Sequence, residues 1–264
     1  MFPRLFWIAV AVSAVMTLCG FFKTYIWFMA IGYGLAVMGI GAALLICNLK
    51  ALSMPLVLLC VLIMVYGFRL GGFLLLRELK SASYKENMKK NMGEKDLPIF
   101  VKVFMWIYVS FEYPFQTSAA IYRFSNGAAD NGFLWVGMVI MAFGIIIEAM
   151  ADKQKSAQKA ANPHRFADQG LFKLCRCPNY FGEITFWLGL TLSGIGAVKG
   201  AQWIIVVIGF ILILYVMMSG AKRLEVRHEK NYGSDLEYVR YSNSTPLIFP
   251  LIPLYHLKDV SWIK

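Results

Sequence analysis

Long apolar runs alternate with polar segments along this chain, and each run approaches the ~20 residues that a helix needs to cross a bilayer. We count seven such runs, at 5–22, 25–47, 54–76, 99–122, 133–151, 178–198 and 201–219. The first run has no evident small-residue cleavage site, so we expect it to be retained as a span. The pattern predicts an all-α, polytopic membrane protein that forms one integral domain over residues 1–264.

The composition strengthens this interpretation. Hydrophobic residues make up 59% of the chain and charged residues 16%, and the mean hydropathy is +0.60, which argues against a soluble domain. A net charge of +11 would suggest nucleic-acid binding in a soluble protein. In a membrane protein it reflects basic cytoplasmic loops, so we expect membrane lipids around the chain, no nucleic acid and no obligate protein partner.

The basic residues are unevenly distributed between the two sides of the predicted bundle. They are concentrated in the loops after the third and fifth runs and in the C-terminal tail. The opposite side holds only Arg4, Lys50, Arg123 and Lys199. Because cytoplasmic loops are enriched in lysine and arginine, we expect the N-terminus outside and the C-terminus in the cytoplasm.

Polar side chains within the apolar runs are the first candidates for function, because they are costly in a bilayer. Arg69 lies in the third run, with Tyr66 three residues earlier on the same helical face. The alternative for Arg69 is that it snorkels to the cytoplasmic edge. Glu112 lies in the fourth run, beside Tyr113 and Pro114. Two interpretations of Glu112 are equally open. Either it transfers a proton or binds a partner group within the membrane, or it lies at the outer membrane interface.

The segment 170–183 is the most informative part of the sequence. It carries Arg176, Asn179, Tyr180 and Glu183 into the sixth apolar run, and the last of these lies one helical turn after Asn179. An amide and a carboxylate at such a depth favour a ligand, a proton or a partner helix. The pair Cys175-x-Cys177 is weak evidence for a metal without further ligands nearby, and we expect none.

Two further polar groups flank this segment. Glu148 and Asp152 share a face at the end of the fifth run, where acids oppose the helix dipole, so we expect a ligand or basic partner there. The alternative is a solvated helix end with lysine counter-charges. The tail adds residues suited to phosphates and rings, or alternatively to lipid headgroups, namely Arg223, His228, Tyr232 and Tyr241. No Gly-x-Gly-x-x-Gly motif follows a strand, which excludes a Rossmann site.

Segment 170–183, the preceding Asp152-x-Gln154-Lys155 and the closing Tyr241…Pro250 resemble the C-terminal half of the steroid 5α-reductase family. The bacterial branch of that family is the nearest match. Sterol C14-reductases and isoprenylcysteine carboxyl methyltransferases have a similar motif. The resemblance covers residues 140–250 and does not extend to residues 1–60.

The resemblance implies a seven-helix reductase that uses NADPH, with residues 1–76 on the substrate side and 140–250 as the cofactor-binding half. In the third run, Tyr66-x-x-Arg69 matches a family motif whose tyrosine lies beside the carbonyl oxygen of the substrate. The cofactor-binding residues implied are Asp152, Lys155, Arg176, Asn179, Tyr180, Glu183, Arg223, His228, Tyr232 and Tyr241.

Two departures from the family pattern affect this prediction. Cys177 stands where the motif has a histidine, and a thiol is a weaker hydrogen-bond donor. No aspartate or glutamate precedes Glu78, although the steroid enzymes support the tyrosine with a glutamate from an early helix. Another group then polarises Tyr66, with Glu112 as one candidate, or the substrate is not a steroid enone.

We therefore expect an NADPH-dependent reductase of a carbon–carbon double bond conjugated to a carbonyl, in a steroid-like or other lipid-like substrate. The predicted catalytic residues are Tyr66, Arg69 and Glu112. The expected location is the bacterial inner membrane, with the cofactor site facing the cytoplasm. Two alternatives stay open: an S-adenosylmethionine-dependent lipid or prenylcysteine methyltransferase, and a non-catalytic lipid- or sterol-binding protein.

Overall fold

The computed structural model describes residues 2–22, 28, 31–80 and 98–263. The beginning of the second predicted span and the basic loop 81–97 lie outside the described residues.

The regular elements within the described residues are helices, so the predicted all-α class is confirmed. The α-helices are α1 (Arg4–Thr17), α2 (Gly32–Cys47), α3 (Met54–Lys80), α4 (Ile99–Gln116), α5 (Ser118–Ser125), α6 (Gly132–Ala161), α7 (Pro178–Ser193), α8 (Gln202–Tyr232) and α9 (Leu236–Ser244). Short 3₁₀ helices occur at Leu18–Phe22, Leu49–Ala51 and Gly170–Lys173.

Four helical segments in the described part of the chain are long and apolar enough to cross a membrane. They are Arg4–Phe21, Met54–Phe73, Gly132–Ala161 and Gln202–Tyr232. The segment Gly32–Cys47 is a shorter apolar helix. These helices support a membrane protein, while the number of seven spans and their orientation stay predictions.

The fourth predicted run forms two helices that meet at Thr117. Pro114 lacks the N–H that would continue the helical hydrogen-bond ladder. The Thr117 hydroxyl donates to the carbonyl of Tyr113 at 2.9 Å, and the Ser118 hydroxyl donates to that of Phe115 at 2.6 Å. These hydroxyls satisfy carbonyls at the junction, where α4 ends and α5 begins.

The described chain forms two compact units. The first comprises Met1–Met138 and Leu190–Gly209, and in it α1 packs against α2 and α4 while α2 packs against α3. The second comprises Val139–Gly189 and Phe210–Lys264. The predicted substrate-side helices at 1–76 fall in the first unit, and most of the predicted cofactor half at 140–250 falls in the second.

Candidate functional site

All ten predicted cofactor residues belong to the second unit, and Tyr66, Arg69 and Glu112 belong to the first. Segment 170–183 also belongs to the second unit.

The end of α6 holds the beginning of this segment through two glutamine side chains. The Gln158 Oε1 atom accepts hydrogen bonds from the backbone N–H groups of Asp168 and Gln169, both at 3.0 Å. The Gln154 Oε1 atom accepts from the N–H of Leu171 at 2.8 Å. Gly170, between Gln169 and Leu171, has φ +65°, a left-handed conformation that residues with a side chain disfavour. The loop is therefore fixed to α6 by its backbone.

The next part of the segment is attached to the chain that follows α9. The backbone N–H of Arg176 donates to the carbonyl of Pro246, and that of Cys177 donates to the carbonyl of Leu247, each at 2.8 Å. Helix α7 begins at the next residue, Pro178, whose ring suits the first helical position. These two bonds fix where α7 starts, and thus where Asn179, Tyr180 and Glu183 lie.

Helices α6 and α7 are in direct backbone contact at two glycines. A Cβ atom built on Gly144 would lie 2.6 Å from both the carbonyl oxygen of Gly182 and the backbone nitrogen of Phe186. A Cβ on Gly182 would lie 2.8 Å from the backbone nitrogen of Glu148. Glu183, next to Gly182, is buried at 5% exposure, as is Glu148 at 3%. The glycine contact thus brings two buried carboxylates onto adjoining helices.

Arg176 forms a buried ion pair with Glu225 of α8. The Nη2 atom lies 3.0 Å from Glu225 Oε1, and it also donates to the carbonyl of Tyr255. Glu225 accepts three more hydrogen bonds, from His256 Nδ1 at 2.7 Å and from the backbone N–H groups of Leu257 and Lys258 at 2.7 and 3.0 Å. The sequence reasoning identified Arg176 and missed the acid that faces it.

A cavity of about 130 Å³ adjoins this ion pair. Its polar lining comes from the loop before α7, from α8 and α9, and from the C-terminal segment, and includes Arg176, Glu225, Tyr238, Asn243, His256 and Lys258. The Arg176 Nε atom is buried and forms no hydrogen bond with the described residues. The Nε–H group of Arg176 is therefore available to donate a hydrogen bond in this region.

Several cationic side chains lie around the beginning of α7, together with the carboxylates of Glu183 and Glu225. Burial raises the pKa of Cys177 to about 12, although the positive charges of Lys155 and Arg176 oppose that shift. The imidazole of His228 lies within the electrostatic reach of four cationic side chains, those of Lys155, Arg227, Lys159 and Arg176. Cations from α6, α8 and the loop before α7 thus act on one region of this unit.

The aromatic residues predicted to bind a cofactor pack on one another and on Phe166. Its ring stacks on that of Tyr241, with centroids 5.3 Å apart and an interplanar angle of 24°. The Tyr241 hydroxyl donates to the carbonyl of Phe172 at 2.7 Å, and burial raises its pKa. The Tyr232 ring lies 5.6 Å from that of His228, and its hydroxyl accepts a hydrogen bond from Lys159 Nζ at 2.8 Å. These side chains already have partners within the chain.

The remaining predicted cofactor residues are more accessible. Asp152 and Lys155 are half-buried on α6, Asn179 and Tyr180 are half-buried at the start of α7, and Arg223 is exposed on α8. A Cβ on Gly220 would lie 3.2 Å from the Tyr180 hydroxyl, so this phenol rests against the backbone of α8.

In the first unit, the predicted catalytic residues lie on two helices. Tyr66 on α3 is fully buried, and its hydroxyl lies 3.0 Å from that of Tyr33 on α2, a residue that sequence reasoning missed. Arg69 is half-buried one turn later. Glu112 on α4 is 2% exposed and accepts a hydrogen bond from Gln116 Nε2 at 3.3 Å.

Comparison with known proteins assigns the chain to a family. No curated protein and no solved structure matches this chain. The sequence pattern of one family, described as "Protein of unknown function (DUF1295)", matches residues 5–245. That match covers α1 to α9 and ends before the C-terminal segment that contacts Glu225. The chain therefore belongs to the DUF1295 family, which lies within the steroid reductase-like superfamily.

Proposed function

We propose that this protein is a membrane-embedded, NADPH-dependent reductase of a carbon–carbon double bond conjugated to a carbonyl in a lipid-like substrate. The observation that carries the proposal is the group of cationic side chains around the start of α7, namely Arg176, which is buried and paired with Glu225, half-buried Lys155 and exposed Arg227. Cations in a partly buried, low-dielectric region attract phosphates more strongly than cations in water.

The chain's own residues fit NADPH in their chemistry. Arg176 offers a buried Nε donor, and guanidinium groups bind phosphate oxygens through fork-like hydrogen bonds. Asn179 and Glu183, one turn apart at the start of α7, provide the amide and the carboxylate that suit a carboxamide and hydroxyl groups. Tyr180, resting on the α8 backbone, offers a ring and a hydroxyl.

NADPH would supply the hydride that reduces the β-carbon of the enone. The chain's task is then to stabilise the charge that develops on the substrate oxygen and to exclude water. Tyr66 with Arg69 would stabilise that oxygen, and one well-placed donor contributes about 3 kcal/mol to lowering the barrier. The α-carbon would take its proton from solvent or from an acid such as Glu112, which completes the saturation of the double bond.

The first test is cofactor binding by the full chain purified in detergent. Thermal unfolding and isothermal titration are measured with NADPH, with S-adenosylmethionine and with sterols. We expect NADPH alone to raise the melting temperature. Stabilisation by S-adenosylmethionine instead would contradict the reductase and favour a methyltransferase. Stabilisation by sterols with neither cofactor active would favour a binding protein.

The second test addresses the assignment of Glu183. The change Glu183→Ala should weaken NADPH binding at least tenfold, because a hydrogen bond to a charged group contributes roughly 1.5–3 kcal/mol. The matched control is Glu237→Ala, which removes an exposed carboxylate from α9 whose partner, Arg165, is also at the surface. Unchanged affinity in Glu183→Ala would remove this residue from the site.

A further inference from the structure

Helices α2 and α3 touch through their backbones at three glycines. A Cβ atom built on Gly34 would lie 2.5 Å from the nitrogen of Gly71 and 2.7 Å from the carbonyl oxygen of Gly67. A Cβ on Gly67 would lie 2.5 Å from the carbonyl oxygen of Gly34. Backbone atoms cannot rotate away as side chains do, so this contact fixes the register between the two helices.

The residues immediately before Gly34 and Gly67 are both tyrosines. The hydroxyl oxygens of Tyr33 and Tyr66 lie 3.0 Å apart, within hydrogen-bond distance, and the rings meet edge to face at 73°. The two side chains are 6% and 0% exposed. The helix crossing therefore places two buried phenols in contact inside an apolar unit.

A third tyrosine fixes the ring of Tyr33 on another side. Tyr113 of α4 stacks on Tyr33, with ring centroids 5.0 Å apart and an interplanar angle of 28°. The Tyr113 hydroxyl points away from Tyr33 and donates to the carbonyl of Phe28 at 2.9 Å. The ring of Tyr113 thus covers one face of Tyr33, while the α2–α3 glycine contact places the Tyr33 hydroxyl beside that of Tyr66.

We propose that Tyr33 is the positioning residue for Tyr66, and that its hydroxyl makes Tyr66 a stronger hydrogen-bond donor. This inference rests on the proposed function for the identity of the acceptor, the carbonyl oxygen of the substrate. No acidic residue precedes Glu78, and the group that adjoins the Tyr66 hydroxyl from α2 is a neutral phenol. A pair of neutral phenols polarises the donor without burying a charge, which a bilayer would penalise.

The direction of the hydrogen bonds follows from the chemistry of the acceptor. Each phenol has one hydrogen, and a carbonyl oxygen has only lone pairs to offer. When Tyr66 gives its hydrogen to the substrate, its own oxygen is left to accept the hydrogen of Tyr33. Hydrogen bonds in such a chain strengthen each other, and more so where the local dielectric is low.

The experiment compares Tyr33→Phe with Tyr113→Phe in the full chain. The first change keeps the ring and removes only the hydroxyl that faces Tyr66. The matched control removes the hydroxyl that bonds to Phe28 and leaves the Tyr33–Tyr66 pair intact. Tyr66 is replaced by 3-fluorotyrosine in each background, and its ¹⁹F signal is recorded without substrate. We expect Tyr33→Phe to shift this signal and Tyr113→Phe to leave it near the wild-type position.

Turnover supplies the second measurement, as NADPH oxidation with a 3-oxo-Δ4 steroid as the probe. We expect Tyr33→Phe to lower kcat roughly five- to tenfold, the effect of one neutral hydrogen bond, with KM for NADPH unchanged. Tyr113→Phe should retain kcat. An unshifted fluorine signal, an unchanged kcat or an equal loss in both variants would overturn the proposal.

The two proposals can fail separately. If wild-type protein neither binds nor oxidises NADPH, the proposed function fails. The fluorine measurement needs no turnover, so it then still decides whether Tyr33 polarises Tyr66.

Discussion

Arg176 and Glu225 form an ion pair in which the two side chains are 6% and 2% exposed. One partner precedes α7 and the other lies near the end of α8, so the pair connects the candidate cofactor segment to that helix. His256 and the backbone at 257–258 bind the same carboxylate, which brings the C-terminal segment to this point. The charge of Glu225 is thus stabilised by hydrogen bonds from two side chains and two backbone N–H groups.

Removal of this carboxylate should strongly destabilise the second unit. In Glu225→Ala, Arg176 keeps a buried charge without its counter-ion, and breaking a buried pair in this way costs about 3–5 kcal/mol. We expect a clear loss of unfolding free energy in detergent, measured by denaturant titration. Glu225→Gln should lose less, because the amide oxygen still accepts hydrogen bonds.

The control for this prediction is Glu229→Ala, one turn further along α8. Glu229 pairs with Lys258 at 2.6 Å, but its side chain is 47% exposed, so the pair is screened by water. Its loss should change stability by less than about 1 kcal/mol. Equal effects of the two alanine variants would show that burial of the Arg176 pair has no special weight.

We expect the two cysteines before α7 to make the folded protein less stable at high pH. Burial raises the pKa of Cys175 and of Cys177 from 9.0 to about 12. Between these values the folded thiols keep their protons while the unfolded thiols lose theirs, so unfolding releases protons and rising pH favours it. The stabilisation contributed by the protonated thiols is fully present below pH 9. Above pH 9 the unfolding free energy declines by about 1.4 kcal/mol per pH unit for each thiol.

Unfolding free energies measured from pH 8 to 10.5 would test this slope. Cys177→Ala should make the decline shallower, whatever cavity cost it adds at every pH. Cys47→Ala removes an exposed thiol and should keep the wild-type slope. A slope that is the same in all three proteins would contradict the assignment of the effect to Cys177.

The glycine contact between α6 and α7 predicts that one methyl group will disturb the candidate cofactor segment. In Gly144→Ala the new atom would meet the backbone at Gly182 and Phe186 at 2.6 Å, so the helices must move apart. We expect a loss of about 1–3 kcal/mol in unfolding free energy. Gly132→Ala on the same helix is the control, because no described atom lies within 4 Å of its new Cβ.

The helical fold was predictable because hydropathy is a local property. Runs of apolar residues are visible without knowledge of their neighbours, and the structure forms helices in the described part of each run. The break at Thr117 was not predictable from hydropathy, because the predicted apolar run 99–122 extends to both sides of it. It depends on hydroxyl groups that bond to nearby carbonyls, and Pro114 was the only local indication.

The partners within the candidate site were harder to predict. Arg176 was identified from its motif, but Glu225 is 49 positions away and neither helical periodicity nor local spacing connects the two. His256 lies outside both the resemblance and the family match. For Tyr33 a signal did exist, since the dipeptide Tyr-Gly occurs at 33–34 and again at 66–67. Its meaning required the observation that these glycines touch.

Arg123 shows how a cation taken only as a topology marker can be structural. It is 1% exposed. Its guanidinium donates to four acceptors, two in the loop before α6 and two at the end of α7. These are the carbonyl oxygens of Ser193 at 2.9 Å, Ala129 at 3.1 Å and Ile195 at 3.4 Å, and the Asn131 Oδ1 atom at 3.3 Å. The planar guanidinium of Arg123 has N–H donors that point in several directions, so it reaches all four acceptors at once.

We therefore expect Arg123→Lys to destabilise the first unit although it preserves the charge. An ammonium group places its donors at one point, so we expect the carbonyl of Ser193 or that of Ala129 to lose its donor, and a buried group left unsatisfied costs about 1–3 kcal/mol. The Ile195 carbonyl and Asn131 Oδ1 keep other donors, Asn131 Nδ2 and the N–H of Leu134. Unfolding free energy in detergent is the measurement. The control is Lys199→Gln, which removes an exposed cation after the same turn and should be nearly neutral. If Arg123→Lys were as stable as wild type, the fork geometry would contribute nothing and charge alone would explain the residue.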